Sequence, residues 1–158
     1  MTPEQIAALK ADEGAVKRGG RHVVYDDGTG KPIGPGSTLV GHPTCCLGRA
    51  ADVNGFSDAE ALYLFNNDVQ AVEAELRKLA WFRPLDPVRS GVIEQLAFNM
   101  GVPNLLGFRR MIAAIEDANW TGAAAELMQS KWATQVQPER RSRLVAELLT
   151  GVSGGAVA

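Results

Sequence analysis

The sequence contains only two cysteines, Cys45 and Cys46, and they are neighbours. Adjacent Cα atoms lie about 3.8 Å apart, closer than the two ends of an ordinary disulfide. A bond between these thiols would be strained, so both are expected to be reduced. A metal or redox centre needs more ligands than the sequence places near this pair. We therefore expect neither a metal site nor a cofactor.

Long hydrophobic runs and a strong excess of one charge are also missing. No stretch approaches the roughly 18 apolar residues that a membrane-spanning helix needs, and no basic segment with an apolar run after it marks a signal peptide. We expect a protein that is made in the cytoplasm and is not inserted in a membrane. The net charge of −2 provides no general attraction to nucleic acid. A local basic patch remains possible at residues 17–22 or 139–143.

The first third of the chain predicts a helix and then a small sheet. The 158 residues are enough for one domain with a core, or for two small lobes that share a helix. Thr2, Pro3 and Gln5 form a helix start, and Gly14 is a helix stop. Glycine-rich turns then separate short strand candidates at 22–25, 38–40 and 44–47, which predict an antiparallel sheet within residues 1–56.

From residue 57 onward, apolar residues recur at helical spacing. Ser57 and Glu60 form a capping box, and the helix they begin is predicted to run to about residue 80. Further helices are predicted at 86–101, 105–117, 120–132 and 138–151, with a tail at 152–158. The tryptophans are expected mostly in the core. The predicted fold class is α+β, with a β lobe at 1–56, a connecting helix at 57–80 and a helical lobe at 81–151.

Segment 41–49, Gly-His-Pro-Thr-Cys-Cys-Leu-Gly-Arg, presents a hydroxyl group downstream of Glu13 and the Asp26-Asp27 pair. Glycosidic cleavage needs an acid for the leaving oxygen and a second polar group for a water or for developing positive charge. Glu13 lies in the last turn of its helix, where the dipole disfavours a carboxylate, and this setting suits a general acid. The ordinary alternatives are a solvated carboxylate for Glu13, a turn residue for Asp27 and a strand residue for Thr44.

These motifs resemble the phage-type lysozymes, the endolysins of T-even and related bacteriophages, from about residue 9 to residue 151. The resemblance implies a lysozyme-like α+β fold in a single domain, with a cleft between a small β lobe and a larger helical lobe. The motifs that carry it are Asp12-Glu13-Gly14, Tyr-Asp-Asp-Gly-Thr-Gly at 25–30, the segment 41–49, Phe98-Asn99-Met100-Gly101, Trp120, Trp132 and Pro138-x-Arg140.

The resemblance also implies a role for each matched residue. Glu13 would be the catalytic acid, with Asp27 as the second carboxylate and Thr44 as the catalytic hydroxyl. Asp26 remains an alternative to Asp27, and Arg141 to Arg140 as the partner of the acid. Substrate is expected to contact Gly48, Phe98 and Asn99. The site is expected to be supported by Tyr25 and Arg140.

The sequence departs from the family pattern at three places. Cys45-Cys46 replaces the usual Ile-Gly, and because a Cβ disfavours positive φ, we expect the loop at Cys46 to differ. An insertion at 31–40 separates Asp27 from Gly41. One extra residue lies near Gln137. For this reason either Arg140 or Arg141 could occupy the position of the arginine that pairs with the catalytic acid.

The function implied by the resemblance is that of a bacteriolytic muramidase. It would act as a monomer on the β-1,4 bond between N-acetylmuramic acid and N-acetylglucosamine in peptidoglycan, with inversion. It would stay in the host cytoplasm until a holin-type pore gives access to the wall. One rival is a non-catalytic peptidoglycan-binding or phage structural module, which Cys45-Cys46 and the insertion motivate. The other is a lytic transglycosylase, against which the presence of both Asp27 and Thr44 argues.

Overall fold

The computed structural model describes residues 1–13 and 16–154, without the side chain of Glu13. The chain divides into two compact units, residues 1–62 and 63–158, and the division falls inside the helix Asp58–Leu76. In the described ranges, no helix is both long and apolar enough to cross a membrane.

Unit 1 begins with helix α1, Pro3–Glu13. The predicted helix start is confirmed and has the form of a capping box, because Gln5 N donates to Thr2 Oγ1 at 3.3 Å and Thr2 N donates to Gln5 Oε1 at 2.8 Å. This reciprocal pair satisfies backbone donors that the first turn of a helix leaves free. Gly14, the predicted stop, lies outside the described residues.

The antiparallel sheet expected in this unit is confirmed, with six short strands in two sheets among the described residues. Strands β1 and β2 form a two-stranded ribbon, and the other four are hydrogen-bonded in the order β4-β3-β5-β6. Helix α2, Ala51–Asn54, follows the last strand. The strands are β1 Lys17–Arg18, β2 Arg21–His22, β3 Tyr25–Asp26, β4 Lys31–Pro32, β5 Pro43–Cys45 and β6 Arg49–Ala50.

Two strand predictions in this region were wrong in detail. Residues 38–40 form no strand, because the backbone N–H of Val40 donates to the Asp26 carboxylate instead of to a neighbouring strand. The run 22–25 is split, since β2 ends at His22 and β3 begins at Tyr25. Side-chain acceptors can replace a strand ladder wherever a buried carboxylate is close.

Helix α3, Asp58–Leu76, begins at the predicted capping box. Ser57 N donates to Glu60 Oε2 at 2.8 Å and Glu60 N donates to Ser57 Oγ at 3.3 Å. The helix ends before the predicted residue 80, because Lys78 and Leu79 donate to carbonyls only three residues back. Such bonds tighten a helix end into a turn.

Unit 2 is helical, as predicted, but its helices are shorter than the sequence suggested. The predicted helix at 105–117 is interrupted near its start, because Leu105 ends one short helix, residues 106–108 are not helical and the next helix begins at Arg109. The predicted helix at 120–132 is also divided, because the Ser130 hydroxyl accepts from Ala133 N and caps a new helix. The helices are α4 Pro87–Met100, α5 Val102–Leu105, α6 Arg109–Glu116, α7 Trp120–Met128, α8 Lys131–Gln135 and α9 Pro138–Thr150.

The helices of unit 2 enclose an apolar core. Trp132 is 5% exposed in this core, and Trp81 and Trp120 pack against it half-buried, as predicted. In the described part of unit 1, by contrast, the buried residues are Asp26, Thr44 and Cys45. The largest fully buried side chains of the core are Leu76, Ile93, Leu96, Leu105, Met111, Leu127, Leu144, Leu148 and Val92.

Arg89, which lies in α4, contacts residues of two other helices of unit 2, α7 and α9. Its guanidinium donates to the carbonyls of Leu148 and Leu149, at 2.9 and 3.0 Å, near the end of α9. It also lies 2.7 Å from Asp86 Oδ2, where Asp86 caps α4, and 4.0 Å above the ring of Trp120 in α7. The side chain is only 14% exposed, so its loss would leave these carbonyls with poor access to water.

We expect Arg89→Met to lower the free energy of unfolding by about 2–3 kcal/mol, since it removes charge-assisted hydrogen bonds while keeping apolar volume. Urea unfolding followed by tryptophan fluorescence measures this, because all three tryptophans lie in unit 2. Arg83→Met is the matched control, because Arg83 is exposed. Equal stability of both variants would contradict the role assigned to Arg89.

Candidate active site

Asp26 is a buried carboxylate that holds two separate segments together. It is 4% exposed, and its Oδ1 accepts from the N–H groups of Gly28 and Gly41 at 3.1 and 2.7 Å. Its Oδ2 accepts from Val40 N at 2.9 Å and from the Thr29 hydroxyl at 3.2 Å. The bond from Val40 is the main cause that lowers the pKa of Asp26. Burial opposes it, and the bonds from Gly41, Gly28 and Thr29 lower the pKa further. Asp26 therefore holds the two ends of the insertion together, and each of its carboxylate oxygens accepts two hydrogen bonds.

Asp27 has the opposite environment, because its side chain is exposed. Its Oδ1 accepts from the backbone N–H of His42 at 2.6 Å, and its own N–H donates to the His42 carbonyl at 3.1 Å. Gly41 is needed beside it, since a Cβ at position 41 would overlap Asp27 Oδ1. Among the described residues, Oδ2 of Asp27 makes no hydrogen bond with protein. Of the two neighbouring aspartates, Asp27 is the one with an oxygen facing solvent.

Thr44 and Tyr25 face each other across the β3–β5 ladder. Thr44 is 3% exposed, and its hydroxyl donates to the His42 carbonyl at 3.2 Å. A hydroxyl that donates one hydrogen bond keeps lone pairs that can accept another, for example from a water. Tyr25 is half-buried on the same face of the sheet. The predicted trio of Tyr25, Asp27 and Thr44 is thus gathered around His42 and the β3–β5 pair.

The turn after Thr44 keeps a left-handed conformation despite its unusual residues. Cys46 has φ +58°, so the expectation that a Cβ would change this loop was wrong. Such a conformation costs a non-glycine residue free energy, which the flanking β5–β6 pairing must offset. Both thiols are free, with Cys45 buried and Cys46 exposed. Cys45 behaves as the small apolar residue that was predicted, whereas Cys46 does not.

Gly48 lies beside α1. Together with Leu47 it borders a groove of about 250 Å³, whose other wall is Met1, Ile6, Leu9 and Lys10. Glu13 is the last residue of α1 and follows this wall by one helical turn. Its side chain is outside the described part of the chain, so its position relative to Asp27 and Thr44 stays a prediction.

Two other predicted residues, Phe98 and Arg140, line one groove in unit 2. The groove has a volume of about 480 Å³. Phe98 is 41% exposed and stacks at 5.2 Å against Phe65, which also lines the groove. Glu94, one helical turn before Phe98, was not predicted. Burial, and secondarily the nearby Glu73 carboxylate, raises its pKa.

The remaining predicted residues of unit 2 have structural contacts. The Asn99 side-chain oxygen accepts from Trp132 Nε1 at 3.0 Å, which fixes its amide at the edge of the core. Arg141 donates to the Ala133 carbonyl at 3.0 Å, and its buried Nε has no hydrogen-bond partner among the described residues. Arg140 is therefore the one of the two arginines that lines a groove. Within residues 1–13 and 16–154, no group of three or more His, Cys, Asp or Glu side chains could hold a metal ion.

Comparison with known proteins identifies the family of the chain. A family model described as phage lysozyme matches residues 18–146. The chain belongs to the phage lysozyme family. The match includes Asp27, Thr44, Phe98 and Arg140, and the family has the α+β fold that was predicted.

Two curated relatives are also named as lysozymes. The chain is 29% identical over 114 residues to "Probable T4-type lysozyme 1" of Dictyostelium discoideum, covering 71% of this chain and 66% of that protein. It is 30% identical over 99 residues to "Probable T4-type lysozyme 2" of the same organism, covering 60% of this chain and 58% of that protein. The matched region spans less than two thirds of either relative.

The contrast between the two aspartates is directly testable. In Asp26→Asn, one carboxylate oxygen becomes an NH2 group that faces N–H or O–H donors, so we expect amide hydrogen exchange at Val40 and Gly41 to become at least about tenfold faster. Asp27→Asn is the matched control, and it should leave these two amides unchanged. The folded pKa of Asp26 lies below its unfolded value. Its stabilising effect is therefore complete above the unfolded pKa and is lost as pH falls through the folded one. Equal exchange rates in both variants would contradict the structural role of Asp26.

Proposed function

We propose that this protein is a muramidase that hydrolyses the β-1,4 bond between N-acetylmuramic acid and N-acetylglucosamine in peptidoglycan. The observation that carries the proposal is that the exposed Asp27 carboxylate and the Thr44 hydroxyl both bond to the backbone of His42, within a chain of the phage lysozyme family. Both groups are held by the backbone of His42. An acceptor oxygen and a hydroxyl that are fixed by backbone contacts suit the orientation of a water.

The proposed reaction uses two carboxyl groups and one water. Glu13 donates its proton to the leaving glycosidic oxygen as the bond to the anomeric carbon breaks. Asp27 accepts a proton from the water, whose oxygen lone pair attacks the same carbon from the opposite face, while Thr44 orients that water. Attack from the opposite face inverts the configuration, so a β-linked substrate releases an α-anomer.

Glycan recognition is proposed to involve apolar and polar surfaces. The exposed ring of Phe98 offers a face on which a sugar can pack, and Arg140 borders the same groove. Gly48, which has no side chain, leaves the surface open just after the turn at Cys46. Peptidoglycan is the one polymeric partner that the proposal requires, and the protein is proposed to act on it as a monomer.

The first test measures reducing ends released from purified Gram-negative peptidoglycan. We expect Glu13→Gln and Asp27→Asn each to lower kcat by at least about 100-fold, because each loses a proton donor or acceptor. Glu4→Gln, an exposed change in the first turn of the same helix, is the control and should keep wild-type turnover. Full activity of Glu13→Gln would remove Glu13 from the mechanism.

The products of the same reaction separate the rivals. Mass spectrometry distinguishes addition of water from the anhydro sugar that a lytic transglycosylase makes. NMR at early times distinguishes the α-anomer of an inverting enzyme from the β-anomer of a retaining one. Binding to the wall without any released ends would point to a non-catalytic binding module.

We also propose the cellular role of an endolysin, supported by the family resemblance. The protein would remain in the host cytoplasm until a holin-type pore lets it reach the wall. Expression in a Gram-negative bacterium should leave cell density steady until the inner membrane is permeabilised, and density should then fall rapidly. Glu13→Gln is the control that should not lyse the cells. Lysis without permeabilisation would contradict the dependence on a pore.

A further inference from the structure

His42 lies at the centre of the hydrogen bonds that hold Asp27 and Thr44. Its N–H donates to Asp27 Oδ1 at 2.6 Å, and its carbonyl accepts from Asp27 N at 3.1 Å. The same carbonyl accepts from the Thr44 hydroxyl at 3.2 Å. One peptide segment therefore sets the positions of both groups to which we assign the water.

The ring of His42 anchors this segment to helix α2. Its Nδ1 lies 2.9 Å from Asp52 Oδ2, with 56% and 43% of the two side chains exposed. Asp52 is in the first turn of α2. The contact thus joins the turn that carries Asp27 and Thr44 to an element that follows β6.

The charges around the ring are mostly negative. Asp52 faces it from α2 and Asp27 from the turn after β3, while Asp26 binds the N–H of the adjacent Gly41. The nearest cation along the neighbouring strand, Arg49, directs its guanidinium to the Gly55 carbonyl and to Glu60. The hydrogen bond to Asp52, then its charge and that of Asp27, raise the pKa of His42.

We propose that His42 is a positioning residue, whose ring, when protonated and paired with Asp52, holds the backbone that orients Asp27 and Thr44. The inference rests on the proposed muramidase function. The ring itself does not touch the reacting atoms in this scheme, and the backbone of the same residue transmits its effect. A neutral ring can still donate one hydrogen bond to Asp52 but loses the attraction between opposite charges.

The sign of the pH dependence follows from this pair. The folded pKa of His42 lies above its ordinary value, so the charged pair is complete below the ordinary value and is lost as pH rises through the folded pKa. The Asp52 carboxylate stays ionised to lower pH than usual, chiefly because of its hydrogen bond to His42. The effect of the pair on activity should therefore weaken as pH rises through the folded pKa of His42.

The kinetic test compares kcat and KM from about pH 5 to about pH 9 in wild type, His42→Asn and Asp52→Asn. Asparagine at position 42 can keep a hydrogen bond to Asp52 but cannot titrate. We expect wild-type kcat to fall about two- to fivefold through the His42 pKa with little change in KM, as suits an exposed pair. That fall should be absent in His42→Asn and shifted to lower pH in Asp52→Asn. His22→Asn, which changes the only other histidine, should keep the wild-type profile.

A readout that does not need turnover keeps the inference separate from the proposed activity. The backbone amide proton of His42 should resonate at low field because of its hydrogen bond to Asp27, and this signal should move as the ring titrates. Asp52→Asn should reduce that movement. If wild type releases no reducing ends, the proposed function fails. The NMR measurement still tests whether titration of the His42 ring affects the hydrogen bond between its backbone amide and Asp27. An amide signal that ignores the ring titration, or an unchanged kcat profile in His42→Asn, would overturn the inference.

Discussion

The four hydrogen bonds to the Asp26 carboxylate are the contacts on which the organisation of unit 1 depends. The donors come from the turn at 28–29 and from residues 40–41, on the two sides of the insertion. Only an ionised carboxylate offers enough acceptor positions for four donors at one buried point. By closing the insertion, Asp26 brings Gly41 and His42 next to Asp27. The insertion therefore lengthens the chain between Asp27 and Thr44 without separating them in space.

The two units are stabilised by different kinds of contact. In unit 2, leucine, isoleucine and valine side chains of several helices fill a common core, and the burial of apolar surface supplies the main stabilisation. Among the described residues of unit 1, a carboxylate, a hydroxyl and a thiol occupy the buried positions. Polar groups of this kind fix directions as well as positions, because hydrogen bonds require alignment. The backbone of His42 in this way fixes the directions of the Asp27 carboxylate and the Thr44 hydroxyl.

The segment 41–49 contains Cys46, a residue with a Cβ at a left-handed backbone position. Cys46 adopts the left-handed conformation that glycine would favour, so the turn between β5 and β6 is kept at the expense of local strain. Neighbouring hydrogen bonds at Asp26, Asp27 and Arg49 hold both sides of the turn. Departure from a family motif at one residue therefore need not mean departure in geometry, because the surrounding contacts specify the conformation more strongly than the residue itself.

Local patterns in the sequence were sufficient for the α+β class, for the capping boxes at Thr2 and Ser57, and for membership in the phage lysozyme family. These features depend on residues within one or two turns of each other, so their physical causes can be read along the chain. The choice of Asp27 over Asp26 as the solvent-facing carboxylate was not accessible in that way. It depends on donors at Val40 and Gly41, 14 and 15 residues away, which only folding brings to Asp26. The contact between His42 and Asp52, and the break before α8, likewise arise from side-chain hydrogen bonds that have no periodic signature in the sequence.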